Sequence, residues 1–289
     1  MAMKLLIFGY GYSARFLLDQ MQPAQGCVRV TTRSPEKAAK LAAEGLTARV
    51  FPGTDMAEDI AWASHILITA GPEDGTDPVL THARDAIAAH AKRLDWVGYL
   101  STTGVYGDHG GAWVDETTPL APSGERGRAR VTAEAAWMAL GRDHGLRVHI
   151  FRLAGIYGPG RAPFEKLRDG TAHRIIKPGQ VFSRIHVDDI AQVLIASMNR
   201  PDPGAIYNVC DDDPAPPQDV IAHAAMLLRV PQPPDIPFHQ AKLSPMAASF
   251  YAESKRVDNQ RIKRDLGVRL RYPDYRAGLA AILAGESQK

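Results

Sequence analysis

Leu5-Leu6-Ile7-Phe8-Gly9-Tyr10-Gly11-Tyr12-Ser13-Ala14 is the stretch on which the fold turns: an apolar run stops at a glycine and passes directly into residues with helical spacing. Each small residue of this GxGxxA pattern has a mechanical use. Gly9 permits a tight turn, Gly11 lets the backbone approach a pyrophosphate, and Ala14 allows a helix to pack closely on a strand. The helix that opens at Ser13 presents free amides and the positive end of its dipole to the same place. A plain glycine turn is the competing reading. The placement at residue 9, within an alternation of strands and helices, argues against it.

Outward from that turn, short apolar runs at residues 4–8, 28–32, 48–51, 65–69, 96–101 and 148–153 alternate with stretches at 13–21, 35–44, 78–93 and 128–144 that carry apolar residues at helical spacing. Parallel strands joined by crossover helices produce this pattern, so the expected fold is α/β with a doubly wound parallel sheet. After Leu153 the character changes. Proline and glycine punctuate Gly158-Pro159-Gly160, Lys177-Pro178-Gly179 and residues 214–237, with helices expected at 189–199, 218–228 and 256–266 and a strand at 206–210. The chain therefore divides into a Rossmann dinucleotide-binding domain over residues 1–155, completed by about 184–210, and a smaller C-terminal substrate lobe from 156–183 and 211–289.

A chain of 289 residues with 45% hydrophobic and 23% charged residues is globular in composition, which excludes wholesale disorder and a fibrous chain. Its net charge of +2 supplies no broad field to attract nucleic acid or an anionic membrane. Phosphate recognition must then be local, and the expected partner is a small molecule. Cys27 and Cys210 lie far apart without metal spacing, against both a disulfide framework and a zinc cluster, and no metal is expected. The apolar run 5–8 is too short for an export or anchoring signal, so a cytoplasmic location is expected.

Cofactor preference is usually set at the end of the second strand, here Thr31-Thr32-Arg33-Ser34. An arginine and hydroxyls suit a 2′-phosphate, and the acidic side chain that would favour NAD is absent, so NADP is expected. Arg15 either adds a second charge near that phosphate or is a solvated helix residue.

Five further pieces occur in order: Ser101-Thr102-Thr103-Gly104-Val105-Tyr106-Gly107-Asp108, Asp115-Glu116-Thr117-Thr118-Pro119, Phe151-Arg152-Leu153-Ala154-Gly155-Ile156-Tyr157-Gly158-Pro159-Gly160, Ile185-His186-Val187-Asp188-Asp189-Ile190-Ala191 and Tyr207-Asn208-Val209-Cys210-Asp211. With these the chain resembles an extended short-chain dehydrogenase/reductase of the NAD-dependent epimerase/dehydratase family. The resemblance implies a cofactor lying across the glycine-rich turn and a substrate, often a nucleotide-sugar, between the Rossmann domain and the smaller lobe. It also implies a Ser or Thr at the end of the fifth strand, a catalytic Tyr, and a Lys four residues after it. Thr102, four residues before Tyr106, matches the first. The Tyr position falls on Arg126 and the Lys position on Arg130. Between Tyr99 and Tyr157 the only tyrosine is Tyr106, and no lysine occurs from Arg93 to Glu165, so no shift of register restores the pair. In this the chain is similar to atypical members that keep the fold and lose the catalytic tyrosine.

A guanidinium does not take a proton near neutral pH, so Arg126 is no replacement base. On a helix Arg126 and Arg130 stand one turn apart, suited to a carboxylate or phosphate, and Arg130 is expected to hydrogen-bond the nicotinamide ribose as the lysine would. With Arg128 between them, a wet arginine-rich face is the other reading. Tyr106, the nearest phenol to Thr102, either serves as acid or base or packs beneath the pocket. His186 is a titratable candidate, or simply begins a segment leading to a helix capped by Asp188 or Asp189. Tyr251-Ala252-Glu253-Ser254-Lys255 spells YxxxK late in the second lobe and reads as coincidence.

The set expected to bind the cofactor is Gly9, Gly11, Tyr12, Ala14, Thr32, Arg33, Ser34, Ala70 and Arg130, and the catalytic candidates are Thr102 and Tyr106. The arginine that the resemblance places three residues ahead of Ile185 falls on Phe182, with Arg184 two residues later. That weakens a sugar-nucleotide substrate and leaves Arg126, Arg161 and Arg184 as candidates for substrate binding, with Arg168 and Arg174 nearby. The function these features imply is an NADP-binding, epimerase/dehydratase-like oxidoreductase acting on a polar, anionic small molecule. The alternative is a non-catalytic NADP-binding sensor or scaffold. Many relatives pair through two long helices, whose counterparts here are 78–93 and 128–144; a homodimer is expected if their alanine-rich faces serve that purpose rather than core packing.

Overall fold

The computed structural model describes residues 3–201 and 204–286. The first half of the chain runs β1 (Leu5–Phe8), α1 (Tyr12–Met21), β2 (Val28–Thr32), α2 (Pro35–Ala43), β3 (Thr47–Val50), α3 (Ala57–Trp62), β4 (His65–Ile68), α4 (Pro78–Ala89) and β5 (Trp96–Thr102). There follow β6 (Trp113–Val114), α5 (Glu125–His144), β7 (Val148–Leu153), β8 (Gly155–Tyr157), α6 (Phe164–Arg168), β9 (Arg174–Ile176), β10 (Arg184–His186), α7 (Val187–Met198) and β11 (Ala205–Val209). The remainder holds α8 (Pro217–Leu228), β12 (Asp235–Pro237), α9 (Pro245–Tyr251), β13 (Arg256–Val257), α10 (Gln260–Leu266) and α11 (Tyr275–Glu286).

Seven strands pair in parallel in the order β11-β7-β5-β4-β1-β2-β3. The order reverses between β1 and β4, which opens a crevice beyond the carboxyl ends of those strands. The period of two along β1 divides the core: Leu5 and Ile7 join the layer containing Ala14, Leu17 and Ile190, whereas Leu6 and Phe8 join the layer containing Ile60, Ile87 and Trp137. Helix starts follow from capping. Ser34 accepts the amide of Lys37 ahead of Pro35, and Asp77 accepts those of Val79 and Leu80 around Pro78. Asp77 also accepts from Trp137 Nε1 at 3.2 Å, tying α4 to α5.

A separate apolar cluster gathers Tyr157, Phe164, Leu167, Val220, Ala224, Tyr275 and Leu279, drawn from both C-terminal stretches expected to share a lobe. Three sequence expectations need correction. Residues 256–266 do not form one helix: β13 pairs with β6, and α10 starts only at Gln260, with Ile262 and Leu266 packed in the same layer as α7. The helix expected from 128 begins at Glu125, and the one expected to reach 93 ends at Ala89, followed by a 3-10 turn. No helix among the described residues is long and apolar enough to cross a membrane.

Candidate functional site

At the end of β1, Gly9 adopts φ +96°, and a Cβ there would come within 2.9 Å of Thr69 Oγ1 and 3.0 Å of the Ala70 amide nitrogen. Only glycine fits, and Ala70 is thereby placed against the turn. Gly9 donates its amide to Thr31 Oγ1 at 3.0 Å, so the start of the turn is tied to β2. Gly11 caps α1 without any side-chain acceptor, and the space where its Cβ would stand is open. The first amides of α1 meet no side-chain cap at the positive end of the helix dipole, and Ala14 is fully buried. This cradle fits the pyrophosphate of a dinucleotide.

Along β2, Thr32 is buried with its hydroxyl accepting from the Ser34 amide at 3.4 Å, and Ser34 is engaged as the cap of α2. Both serve the backbone. Arg33 alone of that trio is free to meet a ligand: its side chain is exposed and paired at 2.7 Å with Glu73, also exposed, from the loop after β4. Sequence reading saw no acid at the end of β2 and missed this one, which arrives from 40 residues away. Arg15 lies against the Phe16 and Tyr12 rings, 5.1 and 6.0 Å from their centroids.

Beneath the end of β5 lies a buried polar network. Glu134 of α5 receives Arg152 Nη2 at 2.8 Å and Ser101 Oγ at 2.5 Å. Arg152 Nη1 donates to the Tyr106 hydroxyl at 2.9 Å, and that hydroxyl donates to Asn208 Oδ1 at 2.7 Å. Tyr106 is fully buried, and burial pushes its phenol up to about 12 despite the neighbouring Arg152. The expectation of Tyr106 as an acid or base is thus corrected: its oxygen is committed beneath the site. Thr102 is different. It is only partly buried at the strand end, and its Oγ1 accepts from the Gly104 amide at 3.1 Å, which leaves its own proton available for a ligand oxygen.

The arginines of α5 separate in role. Arg130 turns back to the sheet, donating Nη1 to Leu100 O at 2.6 Å and to the Tyr99 hydroxyl at 3.0 Å. Its Nη2 lies close against Gly71, where an added Cβ would press on the guanidinium. Arg126 is exposed, and its side chain makes no hydrogen bond or ion pair among the described residues. Its neighbour Gly127 packs on the turn after Thr102, where a Cβ would meet Gly104 O at 3.0 Å. Arg126 therefore stands beside Thr102's turn, and Arg128 binds the Ser123 carbonyl instead of sharing a face with it.

Arg161 and Arg184 come together at one cavity of about 280 Å³, which they line with Tyr157, His173, Tyr251 and Tyr275; Arg126 is not among its lining residues. Arg161 stacks on the ring of Tyr12, 4.1 Å from its centroid, and Tyr12 donates its hydroxyl to Pro159 O at 2.9 Å. Tyr12, the first residue of α1, thus touches both halves of the site. Tyr157, Tyr251, Tyr275 and His173 were not singled out from sequence as site residues; Tyr157 and Tyr251 sit within quoted motifs, but the other two carry no local signal.

His186 itself caps α7, with Nδ1 accepting from the Asp188 amide at 3.2 Å, which corrects the expectation of an aspartate cap. Burial, helped by Arg271, pulls its imidazole down to about 4. Asp189 instead accepts the amides of Arg271 and Tyr272 at 2.7 and 3.0 Å. In the late YxxxK, Lys255 is buried, donating to Gly107 O at 2.7 Å and pairing with Glu253, while Tyr251 belongs to the cavity wall. The two side chains serve different places.

The profile of the NAD dependent epimerase/dehydratase family matches residues 74–210. A conserved protein of unknown function from Silicibacter pomeroyi has a solved structure that is 56% identical, with a TM-score of 0.90 and 99% of each chain covered. Protein YeeZ of Escherichia coli is 32% identical over 197 residues, 65% of this chain and 62% of YeeZ, so the match spans less than two thirds of that curated relative's length. The structure of DesIV, a dTDP-glucose 4,6-dehydratase from Streptomyces venezuelae with NAD and TYD bound, is 19% identical with a TM-score of 0.74, covering 99% and 98% of the chains. At that identity the likeness is one of fold.

Proposed function

The chain belongs to the NAD-dependent epimerase/dehydratase family, and on that premise we propose that it is an NADP-dependent oxidoreductase acting on a small anionic substrate held against its smaller lobe. One observation carries the reading: the open cradle at Gly9 and Gly11 and the guanidinium of Arg130, fixed beside Gly71, flank the end of β5 where Thr102 keeps a free proton. A nicotinamide held along that line would exchange a hydride with a substrate carbon. Thr102 would hydrogen-bond the substrate oxygen, and Arg130 the nicotinamide ribose. Arg126 would place a fixed positive charge where the family places a phenol. Neither Thr102 nor Arg126 accepts a proton at neutral pH, which favours a reduction whose developing negative charge Arg126 stabilises over a reaction that begins by deprotonating an alcohol.

Arg33 supports NADP. Its partner Glu73 is exposed, and an exposed pair is worth at most ~1 kcal/mol, so a phosphate displaces the carboxylate at little cost. Glu73 is also the observation that favours NAD, since its carboxylate can accept ribose hydroxyls. Titration of the purified chain with NADPH and NADH, followed by nicotinamide fluorescence, separates the two. The expected result is tighter NADPH binding that weakens ~10- to 100-fold in Arg33→Asp, the loss of a charge-assisted phosphate contact. Tighter NADH binding would assign Glu73 to the ribose and overturn the preference. Failure to bind either dinucleotide would remove the proposal. The sensor alternative draws on Arg126 in the tyrosine position; it predicts dinucleotide binding without turnover for any acceptor, and no gain of activity in Arg126→Tyr.

A further inference from the structure

We propose that the cavity of the smaller lobe is a binding site for a small aromatic carboxylic acid, with the carboxylate between Arg184 and Arg161 and the ring among Tyr157, Tyr251 and Tyr275. This deepens the proposed function by naming the class of substrate, and it rests on that reading only for its catalytic meaning. Charge is the first argument. Arg184 donates Nη1 to two backbone carbonyls, Phe182 O at 2.8 Å and Ala215 O at 3.0 Å, and makes no ion pair among the described residues. A partly buried guanidinium without a carboxylate has lost water that nothing anionic replaces. The carboxyl that acts on it most strongly is Asp211, which is almost wholly inaccessible, and burial holds its proton up to about 8. Asp211 makes no ion pair with Arg184, whose guanidinium hydrogen-bonds only backbone carbonyls among the described residues. Arg161 on the rim also has no carboxylate partner, and its stacking on Tyr12 leaves the edge of the guanidinium free.

The walls and size decide what carries the anion. Tyr157, Tyr251 and Tyr275 are all buried, and aliphatic side chains such as Val220 and Leu279 line the cavity with them. A flat apolar body gains from such rings, whereas a sugar would leave hydroxyls unpaired against them. At ~30 Å³ per water, a volume of about 280 Å³ holds about nine waters. That is the bulk of a benzoate or cinnamate.

The test is binding to the full chain, read by saturation-transfer NMR and calorimetry, with cinnamate, the uncharged cinnamyl alcohol, and uridine diphosphate as probes. Cinnamate should bind at least ~10-fold more tightly than cinnamyl alcohol, and Arg184→Gln should remove that advantage. Arg161→Gln, at an exposed rim position, should weaken cinnamate several-fold without a change in melting temperature, and this decides the matter if Arg184→Gln folds poorly. Equal binding of acid and alcohol, indifference to both substitutions, or displacement of cinnamate by a tighter-binding uridine diphosphate would each overturn the proposal. Because no dinucleotide is needed, the two readings fail separately. NADPH binding without cinnamate binding refutes this site, and the converse refutes the cofactor assignment.

Discussion

Glu134→Ala should be among the most destabilising single changes in the sheet domain. Glu134 and Arg152 are each only 4% exposed at the side chain, and Glu134 receives Arg152 Nη2 at 2.8 Å, Nε at 3.2 Å and Ser101 Oγ at 2.5 Å. Deleting the carboxylate leaves Arg152 with the Tyr106 hydroxyl as its neutral partner and leaves Ser101 without an acceptor. Breaking a buried pair from one side costs ~3–5 kcal/mol, because a charge remains where water does not reach. For 289 residues, at ~2.1 cal/mol/K each, the unfolding entropy is ~0.6 kcal/mol/K, and the loss becomes a fall in melting temperature of ~5–8 °C. Thermal and urea unfolding, each followed by near-UV circular dichroism, measure it. The double change Glu134→Leu with Arg152→Met removes both charges and should recover most of the loss. A single mutant within ~1 kcal/mol of the parent, or a double mutant no better than the single, would refute the account of this network as a mutually dependent buried pair.

Other consequences follow from neighbouring groups. Tyr106→Phe should lower stability by ~1–3 kcal/mol, since Arg152 and Asn208 both lose a partner, while leaving turnover within a few-fold; abolished turnover at an unchanged melting temperature would restore Tyr106 as an acid or base. Gly158→Ala should be destabilising by ~1–3 kcal/mol and should weaken NADPH binding, because φ is +154° there and a Cβ would come within 2.6 Å of the Tyr12 hydroxyl; a neutral effect in thermal scans and titrations would contradict it. Asp211 binds its proton more tightly folded than unfolded, so its contribution declines as pH rises from about 4 and levels off above about 8. Asp211→Asn should therefore be more stable than the parent at pH 9, by up to several kcal/mol, and near parity at pH 4, which denaturant melts at the two pH values would check.

Much of the sheet was legible because its signals are local. The run at Leu5–Phe8 is apolar and stops at a glycine, Val148–Leu153 is mostly apolar and lies between Gly145 and Gly155, and Pro35 and Pro78 follow residues that cap. The glycine-rich turn was legible for the same reason. What sequence reading missed depends on distance. Glu73 reaches Arg33 only because two strand ends lie side by side across β1, and nothing in Gly71-Pro72-Glu73 announces it. Tyr106 looked like a free phenol near Thr102, and only the convergence of Arg152 and Asn208 from other strands shows it to be committed. The cavity was the least legible, since its walls come from β8, β9, β10, α8, α9 and α11, with one to three residues each, and from Arg161, Pro163 and His173 in the connecting segments. Arg161 and Arg184 could be named as cations, but their meeting could not be read from spacing.

The contact between those halves constrains how the protein can work. Gly158 lacks a side chain where Tyr12 and Val187 press closest, so the loop carrying Pro159 and Arg161 rests on the first turn of α1. Arg161 stacks on the ring of the residue that follows Gly11, the point at which a pyrophosphate would approach. A ligand that orders the first turn of α1 thereby also orders Arg161, and an anion that draws Arg161 toward the cavity acts on Tyr12 in return. Such coupling is reciprocal by thermodynamic necessity: whatever factor the dinucleotide adds to acid binding, the acid adds to dinucleotide binding. On the proposed reading Tyr12 would join the two binding events rather than belong to either one, its phenol being held to Pro159 O and its ring stacked under Arg161.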